Sequence, residues 1–410
     1  MKYLYKNIII ITALIALLLT GCTSSQVQSG SDVNAREWNL IAESAENTKV
    51  VMYHNYTDLE AVKFLETTLP SKIKEATGVE LVINYKSRTD IYEKLMSDYM
   101  NEKSKGSVDL ILLQNQGFKS FYEKDLIYGP FLDKIPNYLN YINPESIEPH
   151  YTEGINIEGY AAPFGRRQFT MIYNEDLISE PPLDFDELLG FIQSQKGRFT
   201  IPSPPDEAGV KFIETLVCNI EGWEKINELP ADKMAVKEAI KDSIAYMEFM
   251  KPYLWKEGTI FPENVADLDA LFLEDSVMFS MSMDQNHATT MVYEDAYPEG
   301  GRSFVLGDGT VGTTSYLMIP FNSNNKSGAM VMINGMMSPE IQGLKYNPKK
   351  WGDLPALDTR MMETDQAKPI TKNIIKRSGI KESVLIENRL PNVRKEISDI
   401  LVEIWFEIMG

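Results

Sequence analysis

From residue 49 onward the apolar positions change period in a regular order. Residues 49–53 are a short apolar run with His54, Asn55 and Tyr56 at its carboxyl end, and they read as a strand. Leu59, Val62, Leu65 and Leu69 then recur at helical spacing behind Thr57 and Glu60, placed as a capping box, and Gly78 closes the helix. Residues 79–85 alternate as a second strand, and Ile91, Leu95 and Met96 mark a helix capped by Asp90 and Glu93. Residues 106–113 form a third strand, so continuously apolar that both its faces must be covered. Strand, helix, strand, helix, strand describes an open parallel sheet, the signature of an α/β fold.

Residues 159–174 organise the rest of the chain. Gly159, Pro163 and Gly165 predict a turn-prone opening; Arg166, Arg167 and Gln168 come next, and the apolar run 169–173 predicts a buried strand. This is the expected passage from one lobe into a second. Residues 130–149 read as a long irregular connection toward it, with no chemistry assigned. Beyond the passage, Asp184 and Glu187 cap a helix, and residues 197–201 predict a strand that stops at Pro202 and Ser203. Val210, Ile213, Leu216 and Val217 share one face of the next helix. Residues 233–250 and 268–274 predict helices, and 276–282 a strand leading to Asp284, Gln285, Asn286 and His287. With no Ser, Cys or third ligand nearby, Asp284 and His287 read as polar lining rather than as a catalytic or metal pair. Strands at 303–306 and 311–320 flank the hairpin signal Asp308-Gly309, and the second returns the chain to the first lobe. Two crossings make a hinge. Val393, Ile397, Ile400, Leu401, Ile404 and Ile408 give the last helix a broad apolar stripe.

Length and charge narrow the function. At 410 residues the chain exceeds what one core supports, so two lobes are expected. A net charge of -19 argues against nucleic acid. Cys22 and Cys218 are the only cysteines, and three histidines leave little room for a metal centre. There is no His-Glu-x-x-His, Walker loop or Gly-x-Ser-x-Gly elbow, so no catalytic residues, cofactor or metal are assigned.

The amino terminus sets the location. Lys2 and Lys6 precede an apolar stretch at 8–19 that is too short to span a membrane well, and Leu19-Thr20-Gly21-Cys22 follows, matching the lipobox of bacterial lipoproteins. Cleavage before Cys22 and acylation of its sulfur and new amine are expected; each buried methylene contributes about 0.8 kcal/mol to such an anchor. The expected division is a signal peptide at 1–21 and a flexible tether at 22–48. Residues 49–165 with 315–410 make a first lobe that includes the C-terminal helices, and 166–314 make the second.

Four segments together resemble a known family: Gly197-Arg-Phe-Thr-Ile-Pro-Ser-Pro-Pro205, Phe304-Val-Leu-Gly-Asp-Gly-Thr310, Ile319-Pro-Phe-Asn-Ser-Asn-Asn-Lys326 and Ser338-Pro-Glu-Ile-Gln342. They are similar to the extracellular solute-binding lipoproteins of bacterial ABC importers, and among these to the YnjB-like group. The likeness covers residues 49–345. It implies a type II periplasmic-binding-protein-like fold, with two lobes of open sheet and flanking helices joined by a hinge. It further implies a monomer that binds solute in the cleft and delivers it to a permease driven by a separate ATPase. From residue type and position, the candidate ligand-binding residues are Asn55, Asn115, Arg166 and Gln168, then Ser203, Asp284 and Asn286, with Thr313 on the return. Arg166 would clamp an acid; alternatively Arg166 and Arg167 neutralise local carboxylates. The rival readings are a surface hydrolase or lyase acting on polysaccharide, and a ferric-iron-binding protein of the same fold.

Overall fold

In the computed structural model, which describes residues 30–114, 117–373 and 379–410, the first pattern forms the parallel unit expected. Strands β1 (Lys49–His54), β2 (Glu80–Tyr85) and β3 (Leu110–Leu113) pair in parallel with β1 in the middle. Val50, Met52 and His54 of β1 alternate inward, while all of β3 is buried because both of its faces are covered. The helices between them start one residue later or three residues earlier than the capping signals suggest. Asp58 Oδ1 accepts from Ala61 N at 2.9 Å, and Ser87 Oγ from Asp90 N at 3.1 Å, so these residues are the N-caps. Gly78, at φ 74°, ends the helix Leu69–Thr77 as expected.

Short strands β4 (Ile127–Tyr128), β5 (Tyr151–Thr152) and β6 (Ile155–Asn156) precede β7 (Ala161–Gln168), β8 (Thr170–Asn174), β9 (Phe279–Ser282), β10 (Gly301–Phe304) and β11 (Thr310–Pro320). Two short strands follow, β12 (Leu354–Pro355) and β13 (Arg389–Leu390). The larger sheet runs β12-β7-β11-β3-β1-β2, with β4 and β13 also pairing β11. The smaller runs β10-β8-β9. The chain leaves the large sheet at Gln168 and joins the small one at Thr170, then returns between β10 and β11. These are the two crossings of the two-lobe fold. Among the described residues, no helix is long and apolar enough to cross a membrane.

Several expectations are corrected. The turn-prone opening at 159–165 is mostly strand: Pro163 sits where the β7–β11 register shifts at Ser315 and Tyr316, a bulge that tolerates a missing N–H. Residues 197–201 form no strand, because their backbone bonds run singly to Tyr253, Trp255 and Met278 rather than to a ladder. Asp308-Gly309 closes no hairpin: β10 pairs β8 in one sheet and β11 pairs β7 and β3 in the other. The tether contains a helix, Gly30–Ala45, in which Ala35, Arg36, Glu37, Leu40 and Ala42 are strong helix formers. Residues 41–410 form one compact unit. The last helix, Lys395–Met409, was expected with the first lobe. Instead Ile397, Leu401, Ile404 and Trp405 pack into the core around the small sheet, with Phe169, Phe212 and Leu216. An apolar stripe states that a helix is buried but not against which partner. Cys22 lies outside the described residues.

Candidate functional site

The site is built on the antiparallel pair β7 and β11, where Arg166 faces Thr314 and Arg167 faces Thr313 in register. Successive strand residues point to opposite sides. Gly165 and Arg167 with Thr313 and Ser315 therefore share a front, and Arg166 and Gln168 with Gly312 and Thr314 share a back. The hydrogen bonds agree with that division.

At the front, a cavity of about 200 Å³ is lined by Tyr56 and Asp58 after β1, Gln114 after β3, Arg167 of β7, Asp284 and Gln285 after β9, and the segment Trp351-Gly352-Asp353. The carboxyl ends of parallel strands are where α/β sheets hold ligands. Tyr56 donates to Ser315 Oγ at 2.5 Å, and its ring meets Trp351 edge-to-face with centroids 5.1 Å apart. Phe64 and Phe164 flank the same tryptophan at 5.6 and 6.1 Å. Asp353 is buried in the space over Gly165, where a Cβ would overlap its carboxylate, and it accepts from Lys345 Nζ at 2.6 Å. Burial disfavours the charged forms of both: the Asp353 carboxyl is raised despite Lys345, and the Lys345 ammonium is pushed down to about 8. Arg167 pairs with Glu207 at 2.8 Å. Burial would lower the arginine's pKa, but Glu207, Asp284 and Asp353 around it hold it raised. Burial also raises the Asp284 carboxyl, only partly opposed by the Asn286 backbone N–H at 2.9 Å.

Gln114 also borders a second front cavity of about 530 Å³, lined by Asn55, Arg88, Glu207, Lys211, Thr313 and Asn392 among others. Asn55 Oδ1 accepts from Gln114 N at 2.8 Å. The Thr313 hydroxyl is buried without a hydrogen-bond partner. Between the two sheets, Gln285 Nε2 and Asn286 Nδ2 both donate to Gly352 O, at 3.0 and 2.6 Å.

The back is a closed charge cluster. Glu148 forms ion pairs with Arg166, whose Nε is 3.2 Å away, and with Arg389, whose Nε is 3.0 Å away, and it accepts a hydrogen bond from the Thr314 hydroxyl. Burial alone would raise the Glu148 carboxyl, but the two guanidiniums outweigh it and hold it low. Arg389 lies over Gly312, where a Cβ would sit 2.7 Å from its Cζ. A separate cavity of about 440 Å³ borders this cluster.

The candidates from sequence divide accordingly. Asn55 and Thr313 line the larger front cavity and Asp284 the smaller, while Asn286 ties down Gly352 at the rim. Arg166 and Gln168 lie at the back, Arg166 pairing with Glu148 beside the cavity of about 440 Å³ and Gln168 Nε2 donating to Thr310 Oγ1 and Asn388 O. Ser203 lines neither front cavity and donates to Pro204 O at 3.2 Å. Asn115 lies outside the described residues. His287 pairs with Asp269 at 2.7 Å rather than with the Asp284 side chain. Among the described residues no three of His, Cys, Asp and Glu converge to hold a metal ion. Arg167, read from sequence only as a neutraliser of local carboxylates, lines the smaller cavity, and so does the Trp351–Asp353 segment, which the sequence reading did not single out.

Two lobes, a hinge of two crossings and a cleft at strand ends define the class of periplasmic solute-binding proteins. The chain belongs to the bacterial extracellular solute-binding protein family, whose model matches residues 69–370. It is 26% identical over 344 residues to protein YnjB of Escherichia coli strain K12, covering 81% of this chain and 86% of YnjB. The fold is similar to the spermidine/putrescine ABC-transporter substrate-binding protein PotD of Streptococcus pneumoniae, at TM-score 0.57 and 13% identity over 88% of this chain and 100% of that one. It is also similar to a ferric-binding protein of Campylobacter jejuni, at TM-score 0.52 and 13% identity over 88% and 99%. The family is one of solute-binding proteins rather than enzymes, and its members face the periplasm or the cell exterior.

Proposed function

We propose that this protein captures a small polar solute in the front cleft and delivers it to a membrane permease driven by a separate ATPase. It works as a monomer held at the membrane by lipid on Cys22. One lobe is built on the large sheet, and the other on the small sheet together with the last helix. One observation carries this reading: the walls of the smaller front cavity come from the segments that follow β1 and β3 of the large sheet and from the segment that follows β9 of the small one. A ligand touching both sides binds the closed arrangement better than the open one and so shifts the population toward closure.

A thermal-shift screen of the delipidated protein tests capture. A ligand at about 100 times its Kd adds roughly 2.7 kcal/mol of stability. Small-angle scattering then reads closure as a smaller radius of gyration on ligand addition. Unchanged scattering with a bound cleft ligand counts against the mechanism. Separately, Cys22→Ala is expected to release the protein from membrane fractions; full retention counts against the anchor.

A further inference from the structure

The smaller front cavity carries information about the charge of its ligand. Three carboxylates line it, Asp58, Asp284 and Asp353, against one cation, Arg167; Glu207 and Lys345 stand behind them as the ion-pair partners of Arg167 and Asp353. Arg167 and Lys345 are thus already engaged, Arg167 by Glu207 at 2.8 Å and Lys345 by Asp353 at 2.6 Å. Asp284, exposed on the cavity wall, accepts the Asn286 backbone N–H on Oδ1, and among the described residues its Oδ2 receives no donor. Asp58 spends one oxygen on the Ala61 N–H of its helix.

Two further observations are independent of the acids. Gln285 is 3% exposed and lines the cavity; its Nε2 is bound to Gly352 O, while its Oε1 has no donor. A buried acceptor left empty is costly, so it calls for an N–H or O–H from a ligand. The other wall is aromatic, with Tyr56 and Trp351 locked edge-to-face. The face of a tryptophan attracts ammonium groups, and the protein's own Lys345 ammonium already lies 5.6 Å from the Trp351 centroid.

These features separate the ligand classes. An anion would meet Asp58 and Asp284 with one arginine to oppose them, and Glu207 holds that arginine. A neutral sugar would satisfy hydrogen bonds but leave the excess carboxylate charge desolvated and uncompensated, which is the costly outcome. A bare metal ion needs converging ligands, and among the described residues no such group of three occurs. An organic cation meets each demand: it neutralises Asp284, donates to Gln285 Oε1 and packs on Trp351. At about 200 Å³ the cavity suits an ammonium head group, and the neighbouring cavity of about 530 Å³, which shares Gln114, has room for the remainder.

We propose that the cleft selects a small organic cation. Its ammonium group is held among Asp58, Asp284 and Asp353 against Tyr56 and Trp351, and its polar remainder passes Gln114 toward Asn55 and Thr313. This rests on the solute-capture reading. Calorimetric titration of the delipidated protein with a size series of alkylammonium, quaternary ammonium and linear diamine probes tests it, alongside dicarboxylates and neutral sugars. Cations are expected to bind saturably and the other two classes not. Asp284→Asn, which keeps the Oδ1 acceptor, is expected to lose at least tenfold in cation affinity with its melting temperature little changed. Trp351→Phe is expected to retain more affinity than Trp351→Ala. Saturable binding of a dicarboxylate or sugar with no cation binding overturns the charge assignment and leaves solute capture standing. Cation affinity unmoved by Asp284→Asn overturns the site. Absence of saturable binding by every probe class, with unchanged scattering, overturns both readings.

Discussion

Arg166 and Arg167 are neighbours in the chain and face opposite sides of β7. Arg166 sits behind the strand, its side chain 5% exposed, with Arg389 sharing the one carboxylate of Glu148. Arg167 sits in front, 29% exposed, paired with Glu207 and facing the cleft. The same side chain thus does two jobs, and burial decides which. A buried ion cluster has lost its hydration and depends on every partner, whereas a partly exposed pair trades water for carboxylate at little net gain. The back therefore holds the hinge strands together, and the front leaves its charges available to a ligand.

The sharpest way to break the contrast is to remove the shared carboxylate. Glu148→Gln leaves two buried guanidiniums facing each other with no anion between them. A loss of about 3–5 kcal/mol is expected, as for other broken buried pairs, read by urea unfolding or calorimetry. A loss below about 1 kcal/mol would show the back to be as well hydrated as the front.

A second prediction uses pH. Glu382, buried near the same cluster, receives Thr359 Oγ1 at 3.1 Å on one oxygen and has no donor to the other. Burial pushes its pKa up to about 7, opposed only in part by Thr359 and Arg166. The folded carboxyl thus keeps its proton over a range where the unfolded one, with an ordinary value of 4.5, has lost it. Its contribution to stability is complete below the unfolded pKa and is lost as pH rises toward 7. At about 1.4 kcal/mol per pH unit where steepest, the swing is about 3 kcal/mol at most. Glu382→Gln is expected to flatten the stability profile between those two values and to raise the melting temperature at neutral pH. An unaltered profile would place the titration elsewhere.

Much of the frame was legible, and the losses have physical causes. The period-2 and 3.6 patterns located β1, β2 and the helices around them because half-buried elements carry their orientation in sequence. The crossing strand was recognisable from its apolar run, but Pro163 and Gly165 disguised β7 as a turn, since a bulge at Ser315 absorbs what those residues would otherwise break. Arg166 and Arg167 differ by one position, and on a strand one position exchanges the two faces, so composition alone could not tell which arginine faces the smaller cavity. Asn55 and Asp284 were readable as polar groups at strand ends, and Thr313 as a polar group on the returning strand. Trp351 and Asp353 were not, because residues distant in sequence approach the cleft only through the helix Pro339–Tyr346 and the pairing of β12 with β7. Glu148 was hidden in an irregular stretch where no period marks a buried acid.

Gly165 marks the front's tightest contact with the protein interior. A Cβ there would overlap the Asp353 carboxylate and approach Lys345 Nζ to 3.3 Å. Gly165→Ala is expected to cost about 1–3 kcal/mol, the usual range for overpacking. Displacing Asp353 should also weaken ligand binding. Gly190→Ala, with nothing within 4 Å of the added carbon, is the control. Equal melting temperatures for the two variants would mean that the Asp353 carboxylate moves aside freely.

The smallest stability effect is expected at Arg167, where the substitution reports chiefly on the charge of the ligand. Its pair with Glu207 is 29% and 39% exposed, so Arg167→Met should change stability by about 0–1 kcal/mol. The same substitution removes the cation that lines the smaller cavity and leaves Asp58, Asp284 and Glu207 less opposed. For a cationic ligand this should raise affinity or leave it level, and the dependence on salt should steepen because more net negative charge faces the solution. For an anionic ligand affinity should fall sharply. Melting temperature and titration at two ionic strengths therefore separate the two sides of β7. If Arg167→Met destabilises as much as Glu148→Gln, the front is a second structural cluster. If it spares stability and alters only binding, the two arginines have divided the strand between folding and recognition.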